Sequence, residues 1–276
     1  MKVRISTRRS FDQARNILIR STNWIGDAVM TLPAVEAVRK TFPSATISIL
    51  AKPWVAEVYR LSPAVDNVIL FQSPGIHSGP GGKLRLAQKL RAMGFDMAIL
   101  LQNAIEAAII TLLAGIPVRA GYNSDGRGLL LTHCVKRTKT IRKVHQSEYY
   151  LEMVKSLGCN DLGNAVYLRQ GRDDALLADT ICDSFGIDRG DILVGVAPGA
   201  TYGPAKRWFP ERFASIADKI IDDYSAKVIL FGSSSDREST DSVQQHARNR
   251  MINIAGKTSL KETIAVMARC LSLIHI

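Results

Sequence analysis

Two stretches of the chain combine residue types capable of chemistry. Asn23-Trp24-Ile25-Gly26-Asp27 follows the apolar run Asn16–Arg20 (NILIR) and precedes a helical pattern, with Thr31 and Pro33 just beyond. A glycine there permits close backbone approach, and a helix N-terminus offers unpaired N–H donors. The loop is then either a ligand-binding edge that includes Asp27 or a turn in which Asp27 is a plain N-cap, contributing about 1 kcal/mol to its helix. The second stretch, Ala197 to Trp208 (APGATYGPAKRW), runs from a strand into a helix that begins near Pro210. Its glycines, Thr201, Lys206 and Arg207 suit a diphosphate cradle, in which Lys206 supplies point charge and the loop amides supply direction. The alternative is a surface loop with two solvated cations.

Other features fail on inspection. Gly75 to Lys83 (GIHSGPGGK) resembles a P-loop, but His77 stands where its first glycine belongs and Leu84 where Ser or Thr would bind magnesium. Gly121 to Gly128 does not supply Gly-x-Gly-x-x-Gly between a strand and a helix. There is no Asp-x-Asp triplet, which weighs against a metal-bridged nucleotide-sugar site. His145, in a basic segment, reads as a helix cap or a solvated side chain, and Trp24 and Trp208 as packing residues.

The elements that must position the two loops repeat one theme. Strands are expected at 16–20, 45–51, 67–71 and 96–101, with helices at 27–41, 84–93 (basic and amphipathic) and 104–114 between and after them. A second series predicts strands at 192–197, 227–231 and 253–255 with helices at 211–221, 236–248 and 260–268, and the chain closes on the apolar Leu271–Ile276 (LSLIHI). Strands this apolar, alternating with helices, require a parallel sheet covered on both faces. The polar stretch from Asn160 to Arg189, broken by Gly171 and Gly186, separates the series. Two Rossmann-like α/β domains follow, each with a candidate loop at the carboxyl edge of its strands, where such sheets bind ligands.

The 276 residues carry 36 Lys and Arg against 25 Asp and Glu, a formal charge of +11. Attraction to an anionic partner follows, whether a membrane surface, a phosphorylated substrate or nucleic acid. The excess is concentrated in Met1–Arg20 and in Val135–Lys143. No helix-turn-helix or aromatic RNA-binding motif accompanies it, so nucleic acid is not expected. A mean hydropathy of +0.04 excludes disorder as the default state. Cys134, Cys159, Cys182 and Cys270 are widely spaced, which fits a reducing compartment and no sequence-local zinc site. Without an apolar run near Met1, and with the longest nearly apolar stretch only Ala107 to Val118, the expectation is a cytoplasmic protein.

Taken together, Ile17–Pro33 (ILIRSTNWIGDAVMTLP) and Pro198–Trp208 (PGATYGPAKRW) closely resemble the ADP-heptose:lipopolysaccharide heptosyltransferases of glycosyltransferase family 9, nearest the heptosyltransferase II branch. Leu113–Tyr122, Phe231–Glu238 and Ala255–Cys270 extend the likeness, which runs from about Asn16 to Cys270. The resemblance implies a GT-B fold, two Rossmann-like doubly wound domains facing across a cleft. It divides the chain into a basic extension (1–15), an acceptor domain (16–165), a linker (166–189) and a nucleotide-sugar-binding domain (190–276). It implies inverting transfer of heptose from ADP-L-glycero-D-manno-heptose to the first heptose of the lipopolysaccharide inner core, with no cofactor and no metal. Asp27 matches the family's general base. Thr201 and Lys206 would meet the departing ADP, Asp236 and Glu238 the ribose, and Lys257 and Thr258 the adenine. The basic segments would suit a Lipid A-linked acceptor and peripheral contact with the anionic inner membrane. Alternatives are a family 9 enzyme with another acceptor, such as heptosyltransferase I, or an inactive fragment that binds anionic glycolipid. After Cys270 the family continues with a phosphate-gripping loop of the type Asn-Asp-Ser-Gly-Leu-x-His. Leu271–Ile276 stands there instead, so the expectation is an incomplete second domain, with an apolar sheet edge left unpaired and impaired activity.

Overall fold

The structure is a computed structural model that describes residues 2–5, 14–160, 163–166, 168, 171–200 and 204–275. The chain divides into two compact units, Met1–Arg169 and Gln170–Ile276.

The first unit runs β1 (Val3–Ile5), β2 (Asn16–Arg20), α1 (Ile25–Thr41), β3 (Thr46–Ala51), α2 (Ala56–Arg60), β4 (Asn67–Leu70), α3 (Gly79–Ala92), β5 (Met97–Leu100), α4 (Ile105–Leu113), β6 (Val118–Tyr122), β7 (His133–Val135) and α5 (Gln146–Ser156). Among the described residues these strands form one sheet in the order β1-β7-β6-β5-β2-β3-β4. All neighbours are parallel except β1, which runs antiparallel to β7 with Val3 opposite Val135. Part of the basic N-terminal extension is therefore an edge strand. Residues 1 and 6–13 of that basic segment lie outside the described residues.

From β2 the chain steps outward to β3 and β4, then returns to β5 on the other side of β2. The order reverses between β2 and β5, which makes their carboxyl ends the switch point of the sheet. With right-handed crossovers, connections running in opposite directions cover opposite faces. Accordingly α1 packs on α5, and α3 on α4. Ile17, Leu18 and Ile19 of β2 are fully buried, as a strand sandwiched between helical layers must be.

The second unit runs α6 (Arg172–Ser184), β8 (Leu193–Val196), α7 (Pro210–Tyr224), β9 (Lys227–Leu230), α8 (Arg237–His246), β10 (Ile252–Asn253), α9 (Leu260–Arg269) and β11 (Ser272–Ile274). Its strands are all parallel, in the order β10-β9-β8-β11, so a second switch point lies between β8 and β11.

The terminal apolar segment forms an edge strand: β11 pairs with β8 on one side, Ser272 opposite Val194 and Ile274 opposite Val196, and among the described residues no strand covers its other edge. One expectation changes here. The stretch read as a linker contains α6, which packs on α9 and buries Cys182 against Ile187, Leu193, Phe231 and Val266. Its polar outer face hid a helix whose buried positions are few: Ala178 and Cys182.

Candidate functional site

In the first unit the loop after β2 sits at the switch point. Arg20, the last residue of β2, is 1% exposed, and its guanidinium donates to the carbonyls of Ser21 (2.6 Å) and Leu50 (3.3 Å) and to Asn23 Oδ1 (2.9 Å). Burial brings its pKa down to about 10. Trp54 Nε1 donates to the Asn23 carbonyl at 2.8 Å, so the loop is held from two sides.

Asp27 is not the helix cap. Trp24 takes the N-cap position with an extended backbone, which makes Asp27 the third residue of α1. The carboxyl is half-buried, and burial raises its pKa above the ordinary aspartate value. This opposes the helix N-terminus, which favours the carboxylate. Among the described residues it has no hydrogen-bond or ion-pair partner. An unpaired carboxylate that is harder to ionise is also a better proton acceptor. A Cβ on Gly26 would meet nothing within 4 Å, so the approach to the helix start is open.

Sequence reasoning missed what surrounds this loop. Lys52, directly after β3, is 8% exposed; its Nζ donates to the Ser73 carbonyl and lies 4.3 Å from the Phe71 ring centroid. Arg20 lies over the same ring at 5.0 Å. Lys83 pairs with Glu106 at 2.6 Å. Burial, then the charge of Arg20, lowers the Lys52 pKa; Glu106 opposes and Lys83 adds to the lowering. Across the switch point, after β5, Asn103 Oδ1 accepts from Ser124 Oγ (3.1 Å) and Tyr149 Oη (3.2 Å), and buried Arg127 donates to the Gln102 carbonyl. Buried side-chain atoms without a partner, Arg20 Nε, Thr22 Oγ1 and Gln102 Oε1, gather at this same edge. The one available signal was position: a lysine and a Gln-Asn pair, each immediately following an apolar strand.

In the second unit three loops meet beyond β8, β9 and β10. Asp236 organises them. Its Oδ2 accepts from Ser233 N (2.8 Å) and Ser233 Oγ (2.6 Å), closing the turn Ser234–Asp236. A Cβ on Gly199 would stand 2.4 Å from Asp236 Oδ1, so only glycine lets the loop after β8 lie against that carboxylate. Gly256 combines φ +66° with a Cβ position 2.8 Å from Ser234 Cα, and its N–H donates to the Gly232 carbonyl at 2.9 Å.

Lys206 is exposed at the end of the short 3-10 turn Pro204–Lys206. Thr201 lies outside the described residues. Glu238 lines a cavity of about 300 Å³ together with Pro198, Arg207, Trp208, Ser239 and Ser242. Trp208 is half-buried, edge-on to Phe213 at 5.2 Å, and Arg212 lies 5.9 Å from its ring. Lys257 lies elsewhere: its Nζ donates to the Asn253 carbonyl at 2.8 Å and stands 5.7 Å from the Phe185 ring, lining a second cavity with Lys227 and Arg250. Thr258 Oγ1 bonds Thr263 Oγ1 at 2.9 Å, at the start of α9. The fold therefore joins Asp236 to the loop after β8 and sets Glu238 on a cavity that Arg207 also lines, while Lys257 faces a different cavity. His145 caps α5, its Nδ1 accepting from Ser147 N.

Lipopolysaccharide heptosyltransferase 2 of Escherichia coli strain K12 is 27% identical over 268 residues, covering 94% of this chain and 76% of that protein. The solved structure of E. coli ADP-heptose lps heptosyltransferase II shares the fold with a TM-score of 0.81 at 24% identity, over 94% of this chain and 78% of that one. A glycosyl transferase family 9 structure from Veillonella parvula superposes with a TM-score of 0.84 at 26% identity, over 95% and 75% of the two chains. The model of glycosyltransferase family 9 (heptosyltransferase) matches residues 83–275, well over half of the sequence. The chain belongs to glycosyltransferase family 9.

Proposed function

We propose that this chain moves heptose from ADP-L-glycero-D-manno-heptose onto the first heptose of the lipopolysaccharide inner core, with inversion at the transferred carbon. Family membership supports glycosyl transfer, and the similarity to heptosyltransferase 2 supports the donor and acceptor. The observation that carries the chemistry is the Asp27 carboxyl, unpaired and half-buried at the switch point of the first sheet.

In this reading Asp27 takes the proton from the acceptor hydroxyl as its oxygen bonds to the anomeric carbon. The bond from that carbon to the diphosphate breaks, and ADP leaves with the electron pair. Lys206, Thr201 and the amides of the loop after β8 would meet the negative charge that develops on ADP, as electrostatic stabilisation of a leaving diphosphate requires. Asp236 acts indirectly: with Oδ2 held by Ser233 and Oδ1 against Gly199, it positions the donor loops. Glu238, beside Arg207 in its cavity, is the better candidate for a ribose hydroxyl. Thr258, in the loop after β10, would contribute to adenine binding, whereas Lys257 is turned toward the second cavity. The exposed cations of Val135–Lys143 suit a phosphorylated, Lipid A-linked acceptor at an anionic membrane surface. Among the described residues no helix is long and apolar enough to cross a membrane.

The test is ADP release from ADP-heptose with purified inner-core acceptors ending in one heptose or in none. Release only with the one-heptose acceptor is expected, and Lys206→Ala should raise KM for the donor about 10-fold or more, as loss of a charge-assisted contact does. Release only with the heptose-free acceptor would overturn the assignment.

A further inference from the structure

The basic amphipathic pattern of α3 has no role in the transfer chemistry. In the fold it lies beside α4, tied by the Lys83–Glu106 pair and by Arg91 Nη2 donating to the Leu113 carbonyl at 2.8 Å. Helical spacing puts Ile105, Ile109, Leu112 and Leu113 on the outward face of α4. With Leu84 of α3 and Met93 just after it, these side chains remain 39–47% exposed. Arg85, Lys89 and Arg91 are exposed on α3, which carries no acidic residue, and the sole acid of α4, Glu106, is already paired with Lys83.

We infer that the α3–α4 face is a docking surface for an anionic lipid bilayer, the aliphatic side chains entering the headgroup boundary and the cations pairing with lipid phosphates. This deepens the reading of the acceptor as lipid-carried and rests on it for its purpose. The charge pattern selects the occupant. A two-fold pairing of two copies would set the same patch against itself, bringing cations together with no free carboxylate on α3 or α4 to meet them. A nucleic acid would match the charge but not a row of aliphatic residues without a stacking ring. Exposed aliphatic residues flanked by Lys and Arg match the requirements of interfacial binding.

The experiment is flotation of the full chain with vesicles of phosphatidylcholine, with or without phosphatidylglycerol. Each cation near an anionic surface is worth about fivefold in partitioning. Arg85→Gln with Lys89→Gln should therefore lower partitioning onto the anionic vesicles by about 25-fold, and Ile109→Gln with Leu112→Gln by a comparable factor. Both pairs are exposed positions, and unchanged thermal melting confirms that each variant is folded. Docking is overturned if the wild type fails to float, if either folded variant floats like the wild type, or if neutral vesicles bind equally well. It is also overturned if the wild type dimerises and both variants are monomers. Transfer to a soluble, delipidated acceptor without flotation rejects docking alone, whereas flotation without transfer rejects only the proposed reaction.

Discussion

Replacing Asp27 with Asn separates a base from a carboxylate that merely supports the fold. The side chain is half-exposed and has no bonding partner among the described residues, and Asn has nearly its shape. The structural consequence is therefore small, within about 0.5 kcal/mol. Its sign comes from burial. The Asp27 pKa is higher in the folded chain than in the unfolded one, so this group's stabilising contribution is fullest below the unfolded pKa. It declines as pH rises through the folded value, and at neutral pH Asn avoids that loss. The variant should melt at the wild-type temperature or slightly above it. Catalysis should respond very differently. A positioned general base contributes about 10²–10⁴-fold, or about 2.7–5.5 kcal/mol of the barrier. Assayed by ADP release at saturating donor and acceptor, kcat should fall by that factor, with donor affinity unchanged. The acid limb of the wild-type kcat/KM profile should lie above the ordinary aspartate range. A kcat within tenfold of the wild type, or a melting point several degrees lower, would refute the role.

Removing the Asp236 carboxylate should loosen the second unit's loops. Asp236→Ala should lose about 1–2 kcal/mol in chemical denaturation, since Ser233 loses both of its contacts to the carboxylate. It should also raise KM for the nucleotide sugar more than it lowers kcat, and an unchanged KM would remove its positioning role. At Lys52, burial and Arg20 depress the pKa, so the unfolded chain binds this proton more readily than the folded one. Wild-type stability should therefore gain on that of Lys52→Met as pH rises from about 7 toward the ordinary lysine pKa of about 10.4. A pH-independent difference between the two would contradict the cation cluster. The four cysteines are free; burial pushes the Cys159 thiol up to about 12 and Cys270 to about 11. A thiol reagent near neutral pH should label the native chain about a hundredfold more slowly than the denatured one. Rapid labelling of the native thiols would show that the cores burying Cys159 in the first unit and Cys182 in the second are open.

The α/β class was legible in the sequence because local chemistry dictates it. A continuous apolar run such as Ile17–Leu18–Ile19 between helical patterns suits a parallel strand covered on both faces. Gly115, two residues before Pro117, likewise marks where α4 must stop, and its φ of +72° confirms that stop. The positions of both candidate loops follow from the same periodicities, since a loop leaving a parallel strand toward a helix can only lie at the carboxyl edge. What surrounds those loops depends on strand order, which pairs residues far apart in sequence. Strand order brought Arg20, Lys52 and Phe71 together from three successive strand ends. Among the described residues it left Asp27 without a hydrogen-bond or ion-pair partner, one turn inside the spot where a cap would sit, and it set β11 against β8. Lys257 and Glu238 likewise line different cavities, although β9 and β10 are neighbours in the sheet. Composition could not announce α6 either, because a helix with two buried positions looks like a linker until α9 packs on it. Periodicity is a property of neighbouring residues and survives in one dimension, whereas pairing, burial and shifted acidity arise only when distant segments exclude water together.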